Sequence, residues 1–198
     1  MWTYEKKAAS SGFLLIAGVD EAGRGPLAGP VVSAAVILPA DFSVDGVNDS
    51  KKLTAAKRDR LFDRIRAEAV SVAVGIADHE EIDHLNILQA SLLSMKRAVK
   101  ALETPPDYLL IDGIFTVSYP IAQEAVKKGD SLSMSIAAAS IIAKVTRDRI
   151  MDNYDREFSQ YGFKKHKGYP TQKHREAIRQ HGPSPIHRKS FSGVREFL

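Results

Sequence analysis

The chain has 198 residues, of which 44% are hydrophobic and 26% are charged, so it fits one globular domain with a sizeable core and not a disordered or low-complexity protein. Lysine and arginine outnumber aspartate and glutamate by 28 to 24, and the resulting charge of +4 suggests a polyanionic partner such as nucleic acid. The sequence has no cysteine, which excludes disulfides and thiolate metal sites, and no apolar run of the roughly 20 residues that a membrane span requires. These features predict a cytoplasmic protein without a membrane segment, and the lack of a long apolar surface pattern predicts a monomer.

The first strands are predicted from two short apolar segments that a glycine-rich turn joins. Residues 14–20 and residues 31–38 each have the length of a buried strand, and the second segment is rich in β-branched side chains. With so short a connection, the two strands are predicted to form a β-hairpin. Three further strands are predicted at residues 70–77, at 108–111 and around 123–127.

Two helices are predicted between these strands. The Asn-Asp-Ser sequence at 48–50 offers N-caps to a charged helix over 51–69. A broad apolar stripe predicts one long helix over 79–102, which ends before a pair of prolines.

The last third of the chain changes character. Asp130 and Ser131 are predicted to open an alanine-rich helix that reaches residue 161 and lies close to the sheet. Residues 162–198 are basic and are broken by glycine and proline. They predict a helical C-terminal segment that lies as a flap over the α/β body, within a single domain spanning residues 1–198.

Four acidic residues stand at the ends of predicted elements. Asp20 and Glu21 end the first strand, Asp112 follows the fourth, and Asp130 begins the long helix. Strand ends in an open α/β sheet are where ligand crevices form, so these side chains are candidates for one site. Converging carboxylates repel one another unless a divalent cation compensates, and all-oxygen ligation favours Mg²⁺ or Mn²⁺ over zinc. Two such ions can clamp a phosphodiester.

Simpler structural roles for these acids stay open. An acid at a strand end is commonly a solvated surface group, and Asp130 also suits a helix N-cap. In a regular strand, Asp20 and Glu21 would point to opposite faces of the sheet. Convergence therefore predicts that the chain leaves strand geometry at Glu21, which the following Ala22 and Gly23 make easy.

The glycines after Glu21 do not match a phosphate-binding fingerprint. Residues 23–29 have the spacing G-x-G-x-x-x-G and lead into a strand, whereas a dinucleotide fingerprint leads into a helix. The HEEIDH segment at 79–84 is unlike a zinc-binding HExxH motif, because its histidines are five residues apart. Glycines on both sides of Arg24 let the backbone approach a ligand closely and bond a sugar hydroxyl, or they form a plain tight turn.

Eight segments follow one another between residues 18 and 191: GVDEAGRGPLAGPVV, NDSKKL, IDHLNIL, LLIDG, VKKGDS, IAAASIIAKVTRD, HKGYPT and HRKSF. Together they resemble the bacterial type 2 ribonucleases H, the ribonuclease HII family. The resemblance implies an RNase H-like α/β fold, with a central mixed β-sheet flanked by helices and a C-terminal helical segment. It also implies hydrolysis, by two-metal-ion catalysis, of the phosphodiester 5′ of a ribonucleotide, which leaves 3′-hydroxyl and 5′-phosphate ends. The implied partner is an RNA–DNA hybrid or duplex DNA with embedded ribonucleotides.

The resemblance also implies roles for single residues. The acidic quartet of the family, its catalytic metal ligands, falls on Asp20, Glu21, Asp112 and Asp130. The motif whose backbone is expected to read the ribose 2′-hydroxyl falls on Gly23, Arg24 and Gly25. Tyr169 is expected to stack on the following sugar, where a rigid aromatic ring disfavours a bulky substituent.

Three cationic residues are candidate phosphate contacts, Lys51, Lys144 and Arg147, although each side chain could equally be solvated or ion-paired.

Two other functions stay open. A non-catalytic nucleic-acid-binding module would use the basic C-terminal segment but would not need the four acids. A glycosidase with a carboxylate pair would need no metal.

Overall fold

A computed structural model describes residues 1–43 and 54–198 of the chain. Its centre is a five-stranded mixed sheet with the strand order β3-β2-β1-β4-β5. The strands are β1 (Ile16–Ala22), β2 (Val31–Ile37), β3 (Ser71–Ala77), β4 (Tyr108–Asp112) and β5 (Ala122–Val126). Strands β1, β2 and β3 pair antiparallel, whereas β4 pairs parallel to both β1 and β5. The predicted hairpin of the first two strands is thereby confirmed.

Helices cover both faces of this sheet. They are α1 (Thr3–Ser10), α2 (Ala55–Glu68), α3 (His79–Leu85), α4 (Ile87–Lys100), α5 (Met134–Glu157), α6 (Phe163–His166) and α7 (Gln172–His181). On one face, α5 lies against β1 and β2, and α2 packs on α5. On the other face, α4 lies against β3 and β2. Every residue of β2 is buried because both of its faces are covered, which explains its apolar sequence. No helix of the described ranges is long and apolar enough to cross a bilayer.

The helix boundaries differ from the predicted ones at four places, one of which is the end of α5, at Glu157 and not at residue 161. The predicted helix over 79–102 is two helices, because Asn86 takes a positive φ of 73° and its side chain caps the start of α4. Ser133, rather than Asp130, is the N-cap of α5; Asp130 lies in the preceding 3₁₀ turn, Gly129–Ser131. Helix α2 begins after its N-cap Thr54, and the predicted caps at 48–50 lie outside the described residues. The N-terminal helix α1 was not predicted.

The C-terminal segment is part of the core and is not a flap laid over it. Its Phe163 and Ile178 form one buried cluster with Leu27 from the β1–β2 connection and with Met151 of α5. Backbone hydrogen bonds reinforce this cluster: the Leu27 N–H donates to the carbonyl of Gly168 over 2.8 Å. The segment thus supports the connection that carries the glycine-rich sequence.

Candidate active site

Asp20 and Glu21 lie on opposite faces of β1. Strand β1 continues to Ala22, with Asp20 opposite Ala34 and Glu21 opposite Ser33 on β2, so the prediction that the chain leaves strand geometry at Glu21 is wrong. Asp20 is buried and is bonded to Ser140 on α5. Glu21 extends toward the other face, where it lines a small cleft with Asp112. Side chains from both faces therefore reach the same end of the strand.

Asp112 ends β4, the strand beside β1, and the parallel pairing of Val19 with Ile111 puts the ends of the two strands side by side. Its Oδ1 accepts a hydrogen bond from the Gly129 N–H at 2.7 Å. Asp130 follows Gly129 and is itself 8% exposed. The turn that contains Asp130 is thus joined directly to the end of β4.

Three of the acids lie close enough together for their charges to interact. Burial raises the pKa of Asp20 well above its usual range, and the charges of Glu21 and Asp112 raise it further. Burial also raises the pKa of Glu21, with Asp112 adding to the effect and Arg24 opposing it. Burial and like charge both penalise the ionised carboxylates, which would therefore be stabilised by a cation.

The surroundings of Glu21 fit a divalent cation in their chemistry. Oε1 of Glu21 faces the Arg24 guanidinium at 3.3 Å, while Oε2 is buried and has no hydrogen-bond partner in the described part of the chain. An orphaned buried carboxylate oxygen beside other carboxylates is a typical oxygen ligand for Mg²⁺ or Mn²⁺. Within residues 1–43 and 54–198, however, no three acidic or histidine side chains already stand in a ligating arrangement. Asp20, Glu21 and Asp112 each accept a hydrogen bond from a different protein donor.

The loop between β1 and β2 carries Gly23, Arg24 and Gly25, and two buried arginines hold it. Arg147 on α5 donates to the carbonyls of Ala28, Pro30 and Lys167. It is 1% exposed, so the prediction that Arg147 contacts phosphate is wrong: its guanidinium faces the protein interior and braces the loop.

The second buried arginine, Arg188, approaches the same loop from the C-terminal segment. Its three guanidinium nitrogens donate to the carbonyls of Gly23, Arg24 and Gly29, at 2.6, 2.9 and 3.0 Å. The carbonyls of the glycine–arginine turn are thus engaged by the protein. The amides of Arg24 and Gly25 have no acceptor in the portion of the chain that the structure describes.

Tyr169 lies beside this loop and is 42% exposed. A Cβ added to Gly25 would lie 3.7 Å from Cε1 of the Tyr169 ring, so the ring and the glycine face each other across a narrow space. The preceding residues, Lys167 and Gly168, both have positive φ and turn the chain sharply. The structure therefore brings the predicted sensing residues together.

A chain of buried histidines fixes the backbone at Tyr169. The Ser184 N–H donates to Nδ1 of His187, so neutral His187 carries its proton on Nε2. That proton is donated over 3.0 Å to Nε2 of His174, whose Nδ1–H in turn donates to the Tyr169 carbonyl. Burial lowers the pKa of His174 to about 4 and that of His187 to about 3, which keeps both rings neutral and this proton order intact.

The predicted cations at the edge of the site have different surroundings. Lys144 Nζ forms an ion pair with Asp148 on the same helix, at 2.7 Å. A contact between Lys144 and phosphate stays a prediction. Lys51 lies outside the described residues.

Sequence reasoning missed Arg188, His174 and His187 as contributors to the site, although HRKSF and the basic segment around His174 contain them. These three side chains are buried, but a basic and polar segment of sequence predicts exposed side chains, so nothing in the sequence indicated an interior role.

Comparison with known proteins shows the family to which the chain belongs. Residues 17–194 match the family model described as Ribonuclease HII. The Ribonuclease HII of Geobacter sulfurreducens is 60% identical over 198 residues, which cover 100% of this chain and 91% of that protein. The crystal structure of ribonuclease H2 from Pyrococcus horikoshii OT3 is similar with a TM-score of 0.77 and 28% identity, over 93% of this chain and 97% of that one. A structure titled as the PCNA:RNase HII complex from Archaeoglobus fulgidus has a TM-score of 0.74 and 26% identity, over 90% and 96% of the two chains.

Proposed function

Because the chain belongs to the ribonuclease HII family, it is a metal-dependent ribonuclease H endonuclease, and we propose that the acidic end of β1 and β4 is where it cleaves. The observation that carries this assignment is the repulsion among three neighbouring carboxylates, the buried Asp20 and the partly buried Glu21 and Asp112, beside a buried oxygen of Glu21 that has no hydrogen-bond partner in the described chain. Asp130, in the turn bonded to Asp112, is the fourth proposed ligand. A bound divalent cation, Mg²⁺ or Mn²⁺, supplies charge compensation for the phosphodiester and activation of the attacking water.

The protein side chains have separate tasks in this proposal. Asp20 and Asp112 are already held by N–H donors, so they offer fixed oxygens to the cation. Glu21 is the adjustable member: if a cation were held here, its carboxylate would give up the contact with the half-exposed Arg24. Arg24 then becomes available to a phosphate oxygen of the substrate.

Recognition of the ribonucleotide is assigned to the loop and the ring beside this site. The amides of Arg24 and Gly25 are proposed to donate to the ribose 2′-hydroxyl, the group that distinguishes RNA from DNA at one position. Tyr169 is proposed to stack on the sugar that follows. Cleavage 5′ of the ribonucleotide then leaves a 3′-hydroxyl and a 5′-phosphate. RNA–DNA hybrids and duplex DNA with an embedded ribonucleotide both offer these groups.

The test is incubation of a DNA duplex that holds one ribonucleotide with the protein and Mg²⁺. We expect one nick on the 5′ side of the ribonucleotide, no nick in the all-DNA duplex, and no nick in EDTA. Binding of both duplexes without a nick by folded protein would instead support a nucleic-acid-binding module. Cleavage that persists in EDTA would rule out the metal-dependent site.

Tyr169→Ala tests the sensing role apart from the chemistry. Removing the ring deletes the proposed stacking surface but leaves the acids in place, so we expect about tenfold loss of preference for the RNA–DNA junction. The measurement compares the rates of cleavage at the junction and inside a continuous RNA–DNA hybrid. Tyr169→Phe, which keeps the ring, is the matched control and should retain the preference; an unchanged preference in Tyr169→Ala would contradict stacking.

A further inference from the structure

Arg188 makes an unusual set of contacts for a charged side chain. It is fully buried, and all three of its guanidinium nitrogens donate to backbone carbonyls of the β1–β2 connection. Among the described residues, no carboxylate forms an ion pair with it. Burying an arginine without a counter-ion is costly. An apolar side chain could fill the same space without this desolvation cost, so the hydrogen bonds of Arg188 require an explanation.

The peptide geometry supplies that explanation. In a trans peptide, the carbonyl of one residue and the N–H of the next point in opposite directions. Arg188 draws the carbonyls of Gly23 and Arg24 toward the protein interior. The N–H groups of Arg24 and Gly25 must therefore point away from Arg188. Two consecutive amides are thus presented as donors on the side of the loop opposite to the guanidinium.

The positive φ of Gly23, 103°, fits this role. A side chain on Gly23 would overlap the Arg147 side chain and approach the Pro30 carbonyl, so the close packing of Arg147 on the loop requires glycine there. Gly25 has an ordinary φ, and the space next to it opens toward the Tyr169 ring. The presented amides and the exposed ring therefore border the same gap.

We propose that Arg188 is a positioning residue for ribonucleotide selectivity: by holding the carbonyls of Gly23 and Arg24, it aims the amides of Arg24 and Gly25 at the ribose 2′-hydroxyl. The inference rests on the proposed function of this loop. Its charge contributes as well, because a buried cation behind the peptide planes polarises the amides toward an oxygen acceptor. Arg188 does not itself contact the substrate.

The experiment compares Arg188→Lys with the wild type by a ratio that is independent of the folded fraction. The ratio divides the Ki of an all-DNA duplex, used as a competitor, by the KM of the same duplex with one ribonucleotide. Lysine keeps the charge but offers one nitrogen in place of three, so the amides lose their alignment. We expect the ratio to fall about tenfold, the value of one hydrogen bond, while the Ki of the all-DNA duplex is unchanged.

Met151→Ala is the matched control for a general loss of stability. Met151 is fully buried, contacts the same loop at Gly29, and makes no hydrogen bond to the carbonyls of Gly23 or Arg24. The Met151→Ala substitution should lower the melting temperature and leave the ratio of Ki to KM at its wild-type value. Arg188→Gln is a second variant for the case that the buried lysine prevents folding, and it should show the same fall in the ratio.

The outcomes separate this inference from the proposed function. If the wild type fails to nick the ribonucleotide duplex, the proposed function is wrong. If the wild type nicks it and the Arg188 variants keep the wild-type ratio, only the positioning role is overturned. An equal fall in Met151→Ala would also overturn that role, since it would show that any loosening of the loop has the same effect.

Discussion

Glu21 illustrates how one side chain can be unfavourable for folding and necessary for the reaction. Its carboxylate is mostly buried, it has one oxygen without a hydrogen-bond partner in the described chain, and Asp112 repels it. Burial raises its pKa, which means that the folded protein disfavours the charge that a metal ligand needs. Such a conflict is typical of a functional site, because a ligand removes it on binding.

Glu21→Gln should therefore stabilise the metal-free protein. The amide keeps the size of the side chain and removes the repelled charge, so in EDTA at pH 7 we expect the free energy of unfolding to rise by about 1 kcal/mol. Urea denaturation measures this change. With Mg²⁺ or Mn²⁺ present, the wild type should gain more stability than Glu21→Gln, because only the carboxylate binds the cation well. Equal gains in both proteins would count against Glu21 as a ligand.

Asp112→Asn should abolish nicking with little change in stability. Asparagine retains an oxygen that can accept the hydrogen bond from the Gly129 N–H, so the turn before α5 stays attached to β4. The negative charge at the strand end is lost, and with it much of the affinity for a divalent cation. We expect at least a hundredfold slower cleavage of the ribonucleotide duplex, on the order of 3 kcal/mol, with a melting temperature near that of the wild type. Near-normal turnover would refute the assignment.

Strand β1 is the element that connects the core with the site. Its Val19 packs on the α4 face, while Gly18 and Asp20 face α5. A Cβ on Gly18 would overlap the backbone of Ser135 and Ile136, so the first turn of α5 approaches β1 as closely as two backbones can. This approach sets how far Asp20 lies from Ser140 on the same helix.

Gly18→Ala should be strongly destabilising because the overlap is with backbone that cannot rotate away. The helix and the strand would have to separate, and we expect a loss of about 3 kcal/mol of unfolding free energy by urea denaturation. Gly25→Ala is the matched control: its Cβ would meet only the Tyr169 ring at an ordinary 3.7 Å. A stability of Gly18→Ala close to that of Gly25→Ala would show that the helix shifts at little cost.

The strands could be predicted from the sequence because their apolar runs are short and bounded by turn residues. Helix boundaries were less predictable where a side chain competes with the backbone: the apolar stripe continues through Asn86, but its cap divides the helix. Likewise the predicted N-cap Asp130 lies in a 3₁₀ turn, and the side chain that caps α5 is that of Ser133. The candidate acids could be found at strand ends, whereas the interior roles of Arg147 and Arg188 depend on contacts between residues more than a hundred positions apart.

At the scale of the whole molecule, the C-terminal segment gives the loop and Tyr169 a common support. Arg188 holds the loop, and the adjacent His187 begins the histidine chain that ends at the Tyr169 carbonyl. Neighbouring residues thus fix both parts of the proposed ribonucleotide sensor. Because these contacts cross from the C-terminal segment to the β1–β2 connection, the sensor depends on the complete fold.

The histidine chain predicts how stability depends on pH. In the unfolded chain both histidines have a pKa near 6.5, whereas burial lowers the folded values to about 4 for His174 and about 3 for His187. Below pH 6.5 the unfolded state therefore binds protons that the folded state does not. The stabilisation that neutral rings provide is complete above pH 6.5 and is lost as the pH falls to about 4 for His174 and to about 3 for His187, by about 1.4 kcal/mol per pH unit for each histidine.

His187→Asn isolates this contribution from that of the acids, whose raised pKa values act in the opposite direction. Asparagine can accept the hydrogen bond from the Ser184 N–H but does not titrate. Urea denaturation between pH 7 and pH 5 should therefore show a smaller slope of unfolding free energy against pH than in the wild type, by up to the equivalent of one bound proton. At pH 7 the variant should be less stable, because His174 loses the donor to its Nε2. Parallel pH profiles for the two proteins would mean that His187 has the same pKa in the folded and the unfolded state, and burial would then not be what keeps its ring neutral.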